Sequence, residues 1–159
     1  MTGAALVETL RETEEAYAQP NQASVQYLVE GKERSFLAEI AEDLGEIGQE
    51  ALRNALKHGG GGAIVVRLHY TDASLDLSVK DSGSGVDDRV LRMGVPGHFG
   101  LAGMCERAAR ISARLVIRSS PGEGTTVSVS IPAARAYESD SERWTFRGLF
   151  RRTRQEKLK

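Results

Sequence analysis

Four consecutive glycines, at positions 59–62, separate two kinds of hydrophobic pattern and constrain the fold more than any other feature of this chain. Before them, apolar side chains recur every three or four residues, which predicts a helix over residues 37–58 with one buried stripe. The stripe consists of Leu37, Ile40, Leu44, Ile47, Ala51 and Ala55. After the glycines, apolar and polar residues alternate over residues 64–70 and 74–81, which predicts two strands. The short link 71–73 joins these strands as an antiparallel hairpin.

The same reasoning places the other elements. In chain order they are a helix over residues 4–18, a strand over 25–29, a helix over 100–112 and a hairpin of strands over 115–119 and 125–131. Pro20 ends the first helix, since the residue before a proline disfavours helical backbone. Pro132 is expected to close the compact part of the chain.

Length and composition exclude several classes of protein. A chain of 159 residues with a formal charge of -1 suits one domain core and argues against wholesale binding of nucleic acid. No apolar run reaches the roughly 18 residues of a membrane span, and the first residues lack the pattern of a signal peptide. Cys105 is the only cysteine, so neither an internal disulfide nor a cysteine-based zinc cluster can form. We expect a cytoplasmic setting, with Cys105 as a small core residue of its helix.

The end of the chain has a different character. Residues 143–159 hold seven Lys and Arg residues against one Glu, which gives a formal charge of +6, and Trp144, Phe146, Leu149 and Phe150 lie among these charges. One interpretation is an amphipathic helix that lies near an acidic surface or a membrane. The other is a solvated end that aids solubility.

The long helix carries the first group of candidate site residues. Glu50 and Asn54 are four residues apart and share a face, and Lys57 follows one turn later. A carboxylate with a carboxamide oxygen suits Mg²⁺, which prefers a few hard oxygen ligands together with water. Glu50 could instead orient a water or a hydroxyl group. Such pairs also occur by chance on solvated helices.

Asp81 stands at the end of a predicted strand and is followed by Gly83 and Gly85. Its carboxylate could accept a hydrogen bond from an amino group of a ligand. The glycines would let the backbone approach a flat ring or a phosphate without a clash from Cβ. An ordinary Asp–Gly turn has the same sequence.

Two further glycine motifs follow. The stretch 97–103 has glycines at every third position and leads into a helix, whose first amide groups would suit a phosphate. It is neither a Walker loop nor a dinucleotide-binding fingerprint, because the spacing differs from both. His98 in this stretch either contacts phosphate or is a plain loop residue. The last motif is Gly124 with Thr125, whose hydroxyl would face the same pocket.

Together, the order and spacing of these four motifs resemble the ATP-binding catalytic domain of bacterial sensor histidine kinases, in the superfamily shared with gyrase, Hsp90 and MutL. Residues 49–58, Gln-Glu-Ala-Leu-Arg-Asn-Ala-Leu-Lys-His, are similar to the family's N box. Residues 100–108, Gly-Leu-Ala-Gly-Met-Cys-Glu-Arg-Ala, are similar to the G2 box of the nitrate-sensor and desaturase-sensor branch. The resemblance covers residues 25–132.

The resemblance implies an α/β (α+β) two-layer sandwich, the Bergerat ATP-binding fold, in which helices cover one face of a mixed, mostly antiparallel sheet. It divides the chain into three parts. Residues 1–20 would be an N-terminal helix at the end of a dimerisation hairpin or linker, residues 21–133 the ATP-binding catalytic domain, and residues 134–159 a basic tail.

The resemblance also implies roles for individual residues, with ATP and Mg²⁺ as cofactors. Asn54 would be the magnesium ligand, and Glu50 would help to activate the attacking imidazole. Asp81 would bind the adenine amino group, with Thr125 supporting the adenine side. The residues implied to bind ATP are Asn54, Lys57, His58, Asp81, Gly83, Gly85, Val86, Gly97, His98, Gly100, Leu101, Gly103 and Thr125.

None of the three histidines, His58, His69 and His98, fits the phosphoacceptor of a histidine kinase. His58 lies in the N box, His98 lies in the lid, and His69 is an outward-facing strand residue. We therefore expect transfer to a histidine on a dimerisation domain outside this chain, with a response regulator downstream and no nucleic acid as partner. The chain would then be an excised catalytic domain, such as the cytoplasmic part of a membrane-bound sensor, or a truncated protein that phosphorylates a partner.

Three other functions use the same fold. An ATP-driven conformational switch would need a second domain that supplies a lysine to the γ-phosphate. An anti-sigma-type serine kinase would produce an acid-stable phosphate. A non-catalytic nucleotide-binding module would act as a regulatory partner, although Glu50 and Asn54 are both present.

Overall fold

The computed structural model describes residues 1–19, 23–87, 89 and 100–137. Its elements are α1 (Gly3–Tyr17), β1 (Ser24–Glu30), α2 (Ala38–His58), β2 (Ala63–Tyr70), β3 (Ser74–Asp81), α3 (Gly100–Arg110), β4 (Arg114–Ser120), β5 (Gly124–Pro132) and the single turn α4 (Ala133–Ala136). Apart from α4, which the sequence does not predict, these bounds agree with the sequence predictions to within two residues. Within the described ranges, no helix combines the length and apolarity that crossing a bilayer requires.

The strands form one sheet in the order β1-β2-β3-β5-β4. β1 runs parallel to β2, and the other neighbouring strands are antiparallel. The parallel pair is possible because α2 carries the chain back across the sheet between β1 and β2. The sheet is thus mixed and mostly antiparallel, as the sequence predicts.

The helices cover one face of the sheet. On α2, Ile40, Leu44 and Ile47 are buried, whereas Leu37 precedes the helix and is only partly buried. The inward residues of the two central hairpins, such as Val66 and Leu77, meet this stripe in one core. The predicted α/β two-layer fold is confirmed.

Helix α1 belongs to the same core. Leu6 and Leu10 are at most 1% exposed, and Gly48 of α2 leaves room for the Leu10 side chain. The segment predicted as the end of a dimerisation hairpin or linker therefore packs directly on the domain. Its proposed role outside the domain stays a prediction.

Core packing also continues beyond Pro132, where the sequence predicts that the compact part ends. Tyr137 is buried, its ring stacks on Tyr70 with 6.3 Å between centroids, and its hydroxyl donates to the Ser74 carbonyl over 2.8 Å. The expected end of the compact part is wrong because a single turn of helix returns the chain to the core, where Tyr137 pairs with Phe36. Such a short return has no hydrophobic period to reveal it.

The prediction that Cys105 is a core residue is also wrong, since its side chain is exposed. α3 buries Met104 and Ala108, one turn apart, and Cys105 points away from that stripe. His69 is half-buried on the open face of the sheet, as expected for an outward strand residue. Of the predicted basic tail, 134–159, residues 138–159 lie outside the described residues.

Candidate functional site

A cleft lies between α2, α3 and the helix-covered face of the sheet. Its α2 wall contains Ala51, Asn54 and His58, and its α3 wall contains Leu101 and Met104. The sheet and its loops supply the rest, which is Val79, Asp81, Ser84, Gly85, Val86, Ile117, Thr125 and Val127. Seven of the residues that the sequence predicts to bind ATP thus meet in one place, namely Asn54, His58, Asp81, Gly85, Val86, Leu101 and Thr125.

Glu50 and Lys57 lie on the stripe of α2 beside the cleft wall. Glu50 Oε2 accepts hydrogen bonds from Arg53 Nε at 3.1 Å and from Arg53 Nη2 at 2.6 Å. The Lys57 ammonium lies 5.0 Å from the centre of the Tyr17 ring on α1. Lys57 therefore faces α1, and the structure does not bring it together with Asn54 in the cleft.

The first residue of α3 lies directly against Glu50. A Cβ placed on Gly100 would overlap the Glu50 side chain as it stands, so a larger residue here would make the Glu50 side chain shift. The approach brings the start of α3 beside the residue that the sequence predicts to be catalytic. Gly103, by contrast, is exposed, and a Cβ there would meet no neighbouring atom. Gly97 and His98 lie outside the described residues.

Asp81 is the buried acid of the cleft, with 8% of its surface exposed. Its Oδ1 accepts hydrogen bonds from the backbone N–H groups of Gly83, at 2.9 Å, and Thr125, at 3.3 Å. Neither bond uses Oδ2. The carboxylate is thus held in place by one oxygen while the other can accept a hydrogen bond from a ligand.

The glycines around Asp81 have a packing reason of their own. A Cβ on Gly83 would overlap the backbone of Gly59, and a Cβ on Gly85 would overlap the Ser120 carbonyl. Gly85 also has a φ of 62°, in the left-handed region that favours glycine. Close approach of two loops therefore requires these glycines, in addition to any room that they leave for a ligand.

Ser119 is a site residue that the sequence reasoning missed. Its Oγ accepts from the Val86 N–H at 2.9 Å, lies 2.8 Å from the Thr125 hydroxyl and donates to the Gly124 carbonyl at 3.2 Å. Because a serine hydroxyl has one proton, that last bond makes the Thr125 hydroxyl the donor to Ser119. The available signal was a polar residue at an inward position of β4, two residues after Ile117.

The lining of the cleft combines apolar and polar side chains. Val79, Ile117 and Met104 supply apolar surface. The polar groups belong to Asp81, Thr125, Asn54 and His58. Ile117 and Met104 were not predicted as site residues. An apolar slot with a fixed hydrogen-bond acceptor suits a flat heteroaromatic ring that carries an amino group.

Comparison with known proteins identifies the family of this chain. The model of the histidine kinase-, DNA gyrase B- and HSP90-like ATPase family matches residues 39–135. The chain belongs to this ATPase family. Membership implies ATP binding, and the matched residues include every residue that lines the cleft.

Curated relatives of this ATPase domain are sensor histidine kinases. It is 32% identical over 127 residues to the signal transduction histidine-protein kinase/phosphatase DegS of Brevibacillus brevis, covering 80% of this chain and 32% of that protein. It is 37% identical over 95 residues to the sensor protein VraS of Staphylococcus aureus, covering 58% of this chain and 26% of that protein. The chain thus spans about a third or less of the length of these relatives.

Solved structures show the same fold. The histidine kinase domain of the Erythrobacter litoralis EL346 blue-light activated histidine kinase superposes with a TM-score of 0.68 at 21% identity, covering 84% of this chain and 61% of that chain. The mycobacterial sensor histidine kinase MprB superposes with a TM-score of 0.65 at 17% identity, covering 87% of this chain and 97% of that chain.

The oxygen donors in the cleft suit a cation that is bound partly by the protein and partly by the nucleotide. Within the described ranges, no three His, Cys, Asp or Glu side chains gather into a metal site. The Asn54 carboxamide is nevertheless a hard oxygen donor in the cleft wall. Mg²⁺ is commonly bound by one or two protein oxygens plus phosphate oxygens and water, so these residues fit a magnesium–nucleotide complex.

Proposed function

We propose that this chain is the ATP-binding catalytic domain of a sensor histidine kinase and that it transfers the γ-phosphate of ATP to a histidine outside this chain. The observation that carries the proposal is the Asp81 carboxylate, fixed through one oxygen in the wall of a partly apolar cleft that Asn54 also lines. Family membership and the histidine kinase relatives support the same function.

The adenine ring would occupy the apolar slot. Its exocyclic amino group would donate to Asp81 Oδ2, the carboxylate oxygen that the bonds from Gly83 and Thr125 leave unused. Thr125 and Val86 would border the ring, both held through Ser119. Guanine carries a carbonyl oxygen where adenine carries this amino group, so Asp81 would repel it and favour ATP over GTP.

The phosphates would lie between α2 and α3. Asn54 would bind the magnesium ion, and His58, one turn further along α2, would contact phosphate. The start of the 11-residue helix α3 would add backbone N–H groups and the positive end of the helix dipole. We retain Gly97 and His98 as residues that close over the triphosphate, whereas Lys57, which faces Tyr17, is not part of this arrangement.

Phosphoryl transfer needs positioning and charge neutralisation more than covalent chemistry from the protein. A ring nitrogen of the acceptor histidine would attack the γ-phosphorus, and the bond to the bridging oxygen would break to leave ADP. Glu50, which borders the start of α3, would accept a hydrogen bond from the other ring nitrogen and then its proton. The Arg53 guanidinium now holds this carboxylate and would have to share it with the imidazole.

Partners follow from this chemistry. The acceptor histidine would lie on a dimerisation domain, and a response regulator would take the phosphoryl group from it, in a cytoplasmic location. Labelled phosphate on the acceptor should be acid-labile and base-stable. An acid-stable label would favour the serine kinase instead.

The first test is a calorimetric titration of the chain with ATP, with and without Mg²⁺. In Asp81→Asn the amide oxygen can still accept from Gly83 and Thr125, which turns the NH₂ group toward the ligand in place of an acceptor. We expect saturable binding by the unchanged chain and its loss in this variant. Asp76→Asn is the matched control, because Asp76 lies on the same strand but on the open face. No binding by the unchanged chain, or equal binding by Asp81→Asn, contradicts the proposal.

A further inference from the structure

A charge cluster joins α2 to α3 away from the cleft. Asp43 of α2 is 9% exposed, and its carboxylate accepts hydrogen bonds from Arg107 Nη1 at 3.1 Å and Arg110 Nε at 3.2 Å. Arg110 Nη2 contacts the same carboxylate, and Arg107 also lies 3.9 Å from Glu46. A carboxylate buried to this extent is costly unless it is paired, and here two guanidinium groups pair it.

The cluster is in register with the contact at the other end of α3. Gly100 lies against Glu50, and Arg107 lies against Asp43, so the two helices run antiparallel. Each pair of contact points is seven residues apart along its own helix, which is about two turns or roughly 10 Å on both. Equal spacing means that the Asp43 cluster and the Gly100 contact fix the same alignment of α3 on α2.

Apolar packing alone gives α3 little hold on the domain. Only Met104 and Ala108 of this helix are fully buried. Apolar contacts are also non-directional, whereas hydrogen bonds from two planar guanidinium groups to one carboxylate define position and angle. Between the two contacts lie Leu101 and Met104, which line the cleft.

We propose that Asp43 is a positioning residue for nucleotide binding: by holding Arg107 and Arg110 it keeps α3 in the alignment that places Leu101 and Met104 in the cleft. The proposal rests on the proposed function, because it takes the nucleotide as the ligand of that cleft. It assigns no contact between Asp43 and the nucleotide. The contacts of Arg107 and Arg110 with Asp43 at the C-terminal end of α3 fix the position of Leu101 and Met104 nearer its N-terminal end.

The test uses the whole chain with Mg-ATP as the probe and compares Asp43→Asn with Glu30→Gln. The control variant also removes an ion pair, between Glu30 and Arg67, but on β1 and β2 and without contact to α3. We expect Asp43→Asn to bind Mg-ATP about tenfold more weakly and Glu30→Gln to bind unchanged. Amide hydrogen exchange across residues 101–110 should be faster in Asp43→Asn without nucleotide.

Arg110→Gln provides a second variant, since 60% of the Arg110 side chain is exposed and its loss leaves no large cavity. Combining it with Asp43→Asn should cost little more than Asp43→Asn alone, because that change has already removed the ion pair with Arg110. Fully additive losses of affinity would overturn the proposal. Unchanged affinity of Asp43→Asn for Mg-ATP would also overturn it, whether or not hydrogen exchange in α3 increases. Weaker binding of Mg-ATP together with unchanged hydrogen exchange in α3 would overturn it as well.

The outcomes separate this proposal from the proposed function. If the unchanged chain fails to bind Mg-ATP, the proposed function fails, while exchange in α3 still reports whether Asp43 holds that helix. If the unchanged chain binds and Asp43→Asn binds equally well, only the positioning role is overturned.

Discussion

The hydroxyl groups of Ser119 and Thr125 lie 2.8 Å apart across the β4–β5 hairpin. Through this contact and the Val86 N–H, one serine links the loop after β3 to the start of β5, on both sides of Asp81. The residue that joins these two segments beside Asp81 is therefore not one of the motif residues.

We expect Ser119→Ala to bind ATP about three- to tenfold more weakly and to lower the free energy of unfolding by about 1–2 kcal/mol, because the Val86 N–H loses its partner. Calorimetry and urea unfolding measure the two effects. Ser128→Ala, on the open face of β5, is the control and should change neither. Equal affinity of Ser119→Ala and the unchanged chain would refute the alignment role.

Asn54→Ala should remove most of the gain in ATP affinity that Mg²⁺ provides, because the cleft wall loses its carboxamide oxygen. The measurement is the ratio of affinities with magnesium and with a chelator. Glu39→Ala, an exposed change in the first turn of the same helix, should leave that ratio unchanged. If the ratio survives in Asn54→Ala, this residue is not the magnesium ligand.

Glu50→Gln should bind Mg-ATP within about twofold of the unchanged chain yet transfer phosphate at least about 100-fold more slowly, because an amide cannot take a proton from the acceptor imidazole. Single-turnover transfer to a histidine-bearing dimerisation domain measures the rate. Transfer at the normal rate would show that the Glu50 carboxylate is not used.

Leu10→Ala should lower the free energy of unfolding by about 2–5 kcal/mol, because it leaves a cavity between α1 and α2. Chemical denaturation measures the change, with the exposed Glu12→Ala as control. A loss below about 1 kcal/mol would mean that α1 is a detachable linker rather than part of the domain core.

The ionisation of the Asp43 carboxyl group should make the stability of the fold depend on pH. Burial alone would raise its pKa, but hydrogen bonds from Arg110 and Arg107 outweigh burial and lower the pKa below its usual value. Because the pKa is lower in the folded protein, the ionised carboxyl stabilises the fold at any pH above its pKa in the unfolded chain, which is near 4. This stabilisation is lost as the pH falls through the pKa of the folded protein.

The stability difference between the unchanged chain and Asp43→Asn should therefore be constant from pH 5 to 8 and shrink below about pH 4. Glu42, Glu46 and Glu106 also lie near the two arginines, so the difference between the two proteins is the quantity to measure rather than either curve alone. A difference that is independent of pH down to 2 would contradict the ionised pair.

Local pattern was sufficient for most of the elements. The change from a helical to an alternating period at residues 59–62 predicted α2, β2 and β3. These elements are determined locally, because a helix or strand exposes its period within about ten residues. The resemblance to a known catalytic domain, rather than local pattern, predicted that Asn54, Asp81 and Thr125 share one cleft.

Contacts between distant segments were decided only by the tertiary structure. The pairing of β1 with β2, the return of Tyr137 to the core and the contact of Lys57 with Tyr17 each depend on where another element packs. Ser119 and Asp43 look like ordinary polar residues until the fold brings Val86, Arg107 and Arg110 to them. A sequence records which groups can donate or accept a hydrogen bond, but long-range packing selects their partners.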